Sequence, residues 1–212
     1  AVMARGGKPP RAILQKRANR TRPEKAAVGQ GAGRREAMDK DMTVPCGNGI
    51  LNIRVGAIIM REGQILMVGN RRRPEYLYSV GGRIRFGETT EEAVVREVYE
   101  ETGVRLEVDR LGFVHENYFY GDAPDKAGKL TYEISFFFYM KTPKAFAPVC
   151  RSLTEDGQEE YLCWIAPDAP VRYYPDFFRT ELLSPGGGVR HFLTDGRLAD
   201  DDPSGPLDRR AK

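Results

Sequence analysis

The segment of residues 81–104, GGRIRFGETTEEAVVREVYEETGV, constrains the fold more than any other part of the chain. It holds six Glu and three Arg between two turns that contain glycine. Thr89 and Glu92 have the spacing of a capping box, in which each side chain bonds the other residue's backbone at the start of a helix. Gly103 lies where a left-handed residue commonly ends a helix. These signals predict a helix over residues 90–102.

Three carboxylates lie on one face of this predicted helix. Glu97, Glu100 and Glu101 are spaced i, i+3 and i+4, so their side chains project in the same direction. Like charges repel at this spacing, and the C-terminal end of a helix favours cations. One interpretation is a solvated face neutralised by Arg96. The other is a site for a hard divalent cation, because Mg²⁺ and Mn²⁺ prefer carboxylate oxygens and the cluster lacks the His and Cys typical of zinc sites.

The same residues carry a family resemblance. The stretch 82–104 is similar to the Nudix box, G-x5-E-x7-R-E-U-x-E-E-x-G-U, in which U is a bulky aliphatic residue. The fixed positions are all matched, by Gly82, Glu88, Arg96, Glu97, Val98, Glu100, Glu101, Gly103 and Val104. The wider resemblance covers about residues 49–195 and implies an α/β fold, the Nudix-type α/β/α sandwich with a mixed β-sheet.

The resemblance also implies a reaction. Nudix hydrolases cleave a nucleoside diphosphate linked to another group X by attack of water on phosphorus, so a Mg²⁺-dependent enzyme is expected. Mn²⁺ is expected to substitute, because it accepts the same oxygen ligands. Metal ions suit this chemistry because they neutralise the pyrophosphate and lower the pKa of a bound water. Two other hypotheses stay open, a module that senses a nucleotide without turnover and an RNA-associated protein.

Roles for the box residues follow from the resemblance. Glu97 and Glu101 are implied as the principal metal ligands, with Glu100 assisting directly or through water. The carbonyl of Gly82 completes the implied site. Arg96 is expected to orient the glutamates.

Acidic residues are also expected to brace the metal ligands and to act as the general base. Glu88 is expected to brace the loop to the helix from behind the ligands. Glu100 is the first choice for the general base. The segment LTEDGQEEY offers three alternative bases, any of which is equally typical of an exposed loop acid: Glu155, Glu159 and Glu160.

Four side chains that are not fixed positions of the box are candidates for substrate contact: Arg71, Arg83, Tyr118 and Glu133. The two arginines are suited to phosphates. Tyr118 is suited either to stacking on a base or to the core. Glu133 lies in the apolar run TYEISFFF, which indicates either a hydrogen bond to a base or an ion pair with an arginine. The sequence leaves the identity of the nucleotide open.

Outside the box, short β-branched and aromatic runs alternate with turn signals. The run ILNIRVGAIIMREGQILMVGN is predicted as two strands joined by the turn REGQ, and YLYSVGG as a strand that ends at the glycines. Further strands are predicted for VRLEVDRLGFVHENYFY, KLTYEISFFFYMK and EYLCWIA. The run YPDFFRTELL is predicted as a short amphipathic helix.

Charge is distributed unevenly along the chain. Residues 1–41 contain 11 Lys and Arg against 4 Asp and Glu, which leaves 22 against 26 for the rest. The first segment is therefore predicted to be a basic, disordered arm, followed by a Nudix domain over 42–197 and a polar tail over 198–212. Contact of this arm with nucleic acid stays open, although the arm has no aromatic side chain on which a base could stack.

The cysteines and the hydropathy of the chain indicate the cellular compartment of the protein. Cys46, Cys150 and Cys163 lack the C-x-x-C spacing of a zinc or redox site. No apolar run approaches the roughly 20 residues that a membrane span needs, so no membrane partner is expected. A reducing cytoplasm is the expected location, with the chain acting on a nucleotide as a monomer or homodimer.

Overall fold

A computed structural model describes residues 40–71, 73–121, 128–150, 157 and 159–197, and the backbone of 208–210. The strands are β1 (Thr43–Cys46), β2 (Gly49–Ile58), β3 (Met60–Arg61), β4 (Gln64–Asn70), β5 (Arg73–Ser79), β6 (Gly81–Arg83), β7 (Glu107–Tyr120), β8 (Leu130–Lys141), β9 (Glu160–Ile165), β10 (Tyr173–Tyr174), β11 (Arg190–Asp195) and β12 (Asp208–Arg210). The helices are α1 (Thr90–Thr102) and α2 (Phe178–Glu181).

The strands form two mixed sheets. The seven-stranded sheet has the order β1-β2-β8-β7-β11-β12, and β6 pairs with β2. The five-stranded sheet has the order β10-β5-β4-β3, and β9 pairs with β4. Three pairs are parallel, β2 with β8, β7 with β11 and β5 with β10. The other pairs are antiparallel. This confirms the predicted α/β class and the mixed pairing, with the strands distributed over two sheets.

The two helices pack on opposite sides of the strands. Successive side chains of a strand point to opposite faces, so neighbouring residues of one strand enter different cores. The α1-side core joins the helix to strands β2, β4 and β8 through Ala93, Val94, Val98, Ala57, Leu66 and Phe138. The α2-side core uses the alternate positions of the same strands, and contains Phe177, Phe178, Leu182, Ile58, Ile65 and Phe137. The layered sandwich predicted from the family resemblance is therefore confirmed.

The chain changes sheets twice near the double glycine. It passes from β2 to β3 at Ile59 and from β5 to β6 at Val80, and both residues are fully buried. The predicted strand YLYSVGG was expected to end at the glycines, but β5 ends at Ser79 and the glycines begin β6. Gly81 makes this possible, because its φ is 145° and a Cβ there would lie 2.2 Å from the carbonyl oxygen of Val55.

Most other predicted elements are confirmed. The turn REGQ joins β3 to β4, with positive φ values at Glu62 and Gly63. Strands β7, β8 and β9 lie in the runs predicted for them. Helix α2 is shorter than predicted and spans only Phe178–Glu181, and Phe177 at its N-cap makes no side-chain capping hydrogen bond. The sequence analysis did not predict β1, β10, β11 or β12.

The predicted arm and tail lie mostly outside the described residues and stay predictions. At the edge of the arm, the backbone N–H of Phe86 donates to the carbonyl of Lys40 at 2.8 Å, and that of Met42 donates to Ile84 at 2.7 Å. The chain just before β1 is therefore bonded to the loop that leads into α1. Within the predicted tail, β12 pairs with β11. No helix in the described part of the chain is long and apolar enough to cross a membrane.

We predict that Gly81→Ala lowers the free energy of unfolding by about 3 kcal/mol, because it adds a left-handed strain and a backbone clash of 1–3 kcal/mol each. Gly63→Ala is the control, since Gly63 has a φ of 78° and nothing lies within 4 Å of its Cβ position. The control is expected to cost about 1 kcal/mol from strain alone. Urea unfolding of both variants measures the difference, and equal losses would contradict the close approach at Gly81.

Candidate active site

Local signals at both ends fix helix α1. The side chain of Thr89 accepts a hydrogen bond from the backbone N–H of Glu92 at 3.2 Å, and the carboxylate of Glu92 accepts from the N–H of Thr89 at 2.9 Å. Gly103 ends the helix with a φ of 70°. The predicted capping box, left-handed cap and helix over 90–102 are all confirmed.

Because one face of α1 is buried, two of its glutamates point toward the double glycine. The apolar residues of α1 pack in the α1-side core, and this orients Glu97 and Glu101 toward β6. A Cβ on Gly82 would lie 2.5 Å from the carboxyl carbon of Glu97. The backbone N–H of Gly81 donates to Oε2 of Glu101 at 3.1 Å. A side chain at position 82 would therefore displace the carboxylate of Glu97 from its place beside the strand.

Arg96 joins the acidic face of α1 to the preceding loop. Its Nε and Nη2 donate to the two carboxylate oxygens of Glu88 at 2.7 and 2.9 Å. Its Nη1 donates to Glu97 at 2.6 Å and to Glu100 at 3.1 Å, and Nη2 also donates to the carbonyl of Arg83 at 3.0 Å. The bonds from Arg96 lower the pKa of Glu88. One guanidinium therefore compensates three of the box carboxylates.

The two carboxylates beside the glycines, Glu97 and Glu101, are costly to ionise. The side chain of Glu97 is 13% exposed, and its pKa is raised, chiefly by burial, although the charge of Arg96 opposes the shift. Glu101 is only 7% exposed. Its pKa is raised well above the ordinary value of 4.5, first by burial and then by the charges of Glu97 and Glu160. This pair favours a positive charge nearby.

The donors around Gly82 are of the type that Mg²⁺ prefers. Among the described residues, no three Asp, Glu, His or Cys side chains lie close enough together to hold one metal ion. Glu97 and Glu100 both accept from Nη1 of Arg96, whereas Glu101 accepts from the backbone N–H of Gly81. The donor set consists of carboxylates and a backbone carbonyl, which are hard oxygen ligands. It fits Mg²⁺ if contacts to the ion replace some of the hydrogen bonds to Arg96.

The alternative bases differ in their position. Glu160 begins β9 and accepts a hydrogen bond from the hydroxyl of Tyr78 on β5. Its charge also acts on Glu101, so it lies on the same side as the box carboxylates. Glu159 is exposed, and Glu155 lies outside the described residues. Of the three acids, Glu160 is the one that the structure brings to the site.

The two candidate arginines also differ. Arg71 lies in an exposed turn between β4 and β5. Arg83 lies on β6, and its Nη1 is 3.5 Å from a carboxylate oxygen of Asp41. It is directly opposite Arg54 of β2. Arg83 and Arg54 therefore lie side by side next to the double glycine.

The two remaining candidates lie on opposite faces of the seven-stranded sheet. Tyr118 is paired in register with Tyr132, and their rings stack with centroids 4.3 Å apart. The guanidinium carbon of Arg197 is 3.9 Å from the centre of the Tyr118 ring. Glu133 is opposite Asn117, one position along the strand, and so points the other way. The structure does not bring Tyr118 and Glu133 together.

Sequence reasoning missed three residues near the site: Asp41, Arg54 and Tyr78. The signal for Arg54 was available, because it is a charged residue in the apolar run ILNIRVGAII, as Glu133 is in its own strand. Tyr78 had no local signal, because its partner Glu160 is 82 residues away.

Comparison with known proteins decides the family. The model of the NUDIX domain matches residues 51–182, more than half of the chain. The chain belongs to the Nudix family. A MutT-like protein of Streptomyces ambofaciens is 40% identical over 63 residues, which is 29% of this chain and 40% of the relative's length.

Solved structures agree with the Nudix fold. The MutT protein of Bacillus halodurans is 19% identical, with a TM-score of 0.50 over 74% of this chain and 96% of that protein. At this identity the likeness concerns the fold alone. A MutT Nudix hydrolase from Burkholderia pseudomallei is 27% identical, with a TM-score of 0.48 over 64% of this chain and 98% of that protein.

We predict that Glu101→Gln stabilises the protein at pH 8 when divalent metals are chelated. Because the pKa of Glu101 is raised, the folded state binds the proton more tightly than the unfolded chain does. The free energy of unfolding of the wild type should therefore fall as the pH rises from 4.5 through the folded-state pKa. Glutamine keeps the neutral form, so the variant should lack this loss.

The measurement is urea unfolding with chelator at pH 4 and pH 8. Glu91→Gln, an exposed position in the first turn of α1, is the matched control and should leave the pH dependence of the wild type intact. A Glu101→Gln protein less stable than the wild type at pH 8 would contradict the assignment of Glu101 as an unfavourably ionised group.

Proposed function

We propose that this protein is a Mg²⁺-dependent hydrolase that cleaves a nucleoside diphosphate linked to another group X. The observation that carries the proposal is the pair Glu97 and Glu101, one largely buried and one buried carboxylate held against a double glycine. Burial makes their ionised form unfavourable, and a bound cation would relieve that cost. A solvated helix face would not require either side chain to be buried.

The proposed metal ligands are Glu97 and Glu101, with Glu100 and the carbonyl of Gly82. Glu97 and Glu100, which now accept hydrogen bonds from Arg96, would hold the ion with their carboxylate oxygens. Arg96 then stays fixed by its two bonds to Glu88 and orients the glutamates from the side. When bound, Mg²⁺ neutralises the diphosphate and lowers the pKa of an attacking water.

The reaction forms a bond between the water oxygen and phosphorus and breaks the bond from that phosphorus to the bridging oxygen. The proton of the water passes to a carboxylate, and the other half leaves as a phosphate. Arg54 and Arg83 lie where they can neutralise phosphate oxygens. We assign the base to Glu100, the most exposed carboxylate of the cluster at 43%. Glu160 is the alternative, because Tyr78 holds it beside Glu101.

Location and partners are part of the same proposal. All three cysteines lie in the described part of the chain, and none forms a disulfide, which agrees with a reducing cytoplasm. The proposed partner is a nucleotide-type small molecule, bound by a monomer or homodimer. Arg71 lies in an exposed turn between β4 and β5, and we assign it no role in binding.

We predict that Glu97→Gln lowers kcat by about 100-fold or more. A carboxylate that holds the metal contributes several kcal/mol to stabilising the transition state, and each 1.36 kcal/mol is worth about tenfold in rate. Turnover of a panel of nucleoside diphosphate derivatives in Mg²⁺ is the measurement, with circular dichroism to show that the fold is retained. Glu159→Gln, at an exposed acid one residue before β9, should keep near wild-type turnover. Turnover of Glu97→Gln within a few-fold of wild type would rule out the metal role.

We also predict that hydrolysis in ¹⁸O-labelled water places the label on a phosphate oxygen of one product. Attack on phosphorus requires this, because carbon–oxygen bonds stay intact. Excess chelator should stop the reaction, and Mn²⁺ should restore it, whereas Ca²⁺ is larger and should restore it poorly. Mass spectrometry of the separated products gives the answer. Label attached to carbon, or full activity in chelator, would refute the mechanism.

A further inference from the structure

Polar side chains form a row across four strands of the seven-stranded sheet. Asn52 on β2 is in register with Glu133 on β8, Glu133 with Asn117 on β7, and Asn117 with Thr194 on β11. We call these four residues the polar row. They lie on the same face as Phe137 of the α2-side core, which is four positions from Glu133 along β8, with Ser135 between them. This face of the sheet therefore changes from aromatic to polar along the strand.

Glu133 lies in the row without strong hydrogen bonds from the described residues. Asn52 Nδ2 and Ser135 Oγ each donate to its carboxylate at 3.5 Å, the long limit for such bonds. Nη1 of Arg54 lies 3.9 Å away. A carboxylate offers about four acceptor positions, so Glu133 keeps acceptor capacity for another donor. Its side chain is 16% exposed, which leaves it within reach of a ligand.

Buried acceptors adjoin this carboxylate. Asn52 is 4% exposed, and its Oδ1 has no hydrogen-bond partner in the described part of the chain. The same is true of Oγ1 of Thr131, which is 1% exposed and lies two positions before Glu133 on the same face. A buried polar atom left unpaired is destabilising, and such atoms mark places where a ligand or an ordered water completes the bonding.

The row adjoins the proposed diphosphate site. Arg54 follows Asn52 on the same face of β2 and is directly opposite Arg83 of β6. The preceding residue of β6 is Gly82, against which Glu97 packs. The charge of Arg54 also acts on Glu97, and its guanidinium adjoins the polar row. Arg54 therefore lies close to both the box carboxylates and the polar row. This order suits a ligand that has phosphates at one end and a hydrogen-bonding group at the other.

We propose that the polar row recognises a guanine base of the substrate, with Glu133 as the residue that determines specificity. Guanine presents two adjacent donors, N1–H and N2–H, which match the two oxygens of one carboxylate. Its O6 accepts from an amide such as that of Asn117. The inference rests on the proposed function, which supplies the site for the phosphates of the guanine nucleotide.

Other bases fit the row poorly. Adenine and cytosine each place a ring-nitrogen acceptor beside their amino group, so this nitrogen faces a carboxylate oxygen and the two repel. Uracil and thymine have one ring N–H between two carbonyl oxygens, which gives the same conflict. Hypoxanthine keeps N1–H and O6 but lacks the 2-amino group. A comparison of hypoxanthine with guanine therefore measures the contribution of the second hydrogen bond to Glu133.

The test compares GTP, ITP and ATP as substrates in Mg²⁺, and GMP, IMP and AMP as ligands by calorimetry in chelator. The wild type should prefer the guanine member over the hypoxanthine member by about tenfold or more, since bonds to charged groups are the stronger ones. Glu133→Gln should reduce this preference to within about threefold. Glu107→Gln, an exposed glutamate at the far end of β7, is the matched control and should keep the full preference.

The two readouts separate this inference from the proposed function. Hydrolysis of all three triphosphates with equal kcat/KM in the wild type, or an unchanged guanine preference in a folded Glu133→Gln protein, would overturn guanine recognition and leave the hydrolase intact. Absence of hydrolysis with a retained preference for GMP over IMP would overturn the hydrolase and support the polar row. Circular dichroism and thermal unfolding of Glu133→Gln show that the comparison is made on a folded protein.

Discussion

The close approach of backbone and side chain at Gly81 and Gly82 is the constraint on which the rest of the structure depends. At Gly81 the chain lies against the carbonyl of Val55, and at Gly82 it lies against the carboxylate of Glu97. The first contact lets β6 pair with β2, and the second fixes the distance between that strand and α1. A side chain at position 81 would clash with the backbone of β2, and one at position 82 would displace the carboxylate of Glu97 from the strand.

Beside the double glycine, packing of α1 and burial of its carboxylates have opposite effects on the stability of the fold. Val94 and Val98 are fully buried, and this packing holds the helix in the one orientation that also buries Glu101. Burial of an ionised carboxylate without a compensating charge is unfavourable. Packing of the core therefore has to offset the cost of burying Glu101. Arg96 compensates Glu88, Glu97 and Glu100, and it leaves Glu101 bonded to a backbone N–H.

Much of the site could be predicted because its signals are local. The capping box, the left-handed cap and the spacing of the glutamates all lie within 14 consecutive residues, Thr89 to Thr102, and their neighbour Gly103. Tyr78 and Glu160 meet only through the pairing of β4 with β5 and β9, and no short-range pattern encodes that. The opposite orientations of Tyr118 and Glu133 depend on strand register, which β-bulges in β7 shift twice. Helix α2 was overestimated because apolar periodicity does not reveal a missing cap.

The passage of the chain between sheets at Val80 has a mechanical consequence. Val80 is fully buried, and its carbonyl accepts a hydrogen bond from the backbone N–H of Ala57 at 2.8 Å. The neighbouring crossing at Ile59 joins the same two sheets. Two such connections side by side tie the sheets together next to the double glycine. A rotation of one sheet against the other would therefore displace the distant strand ends more than the double glycine.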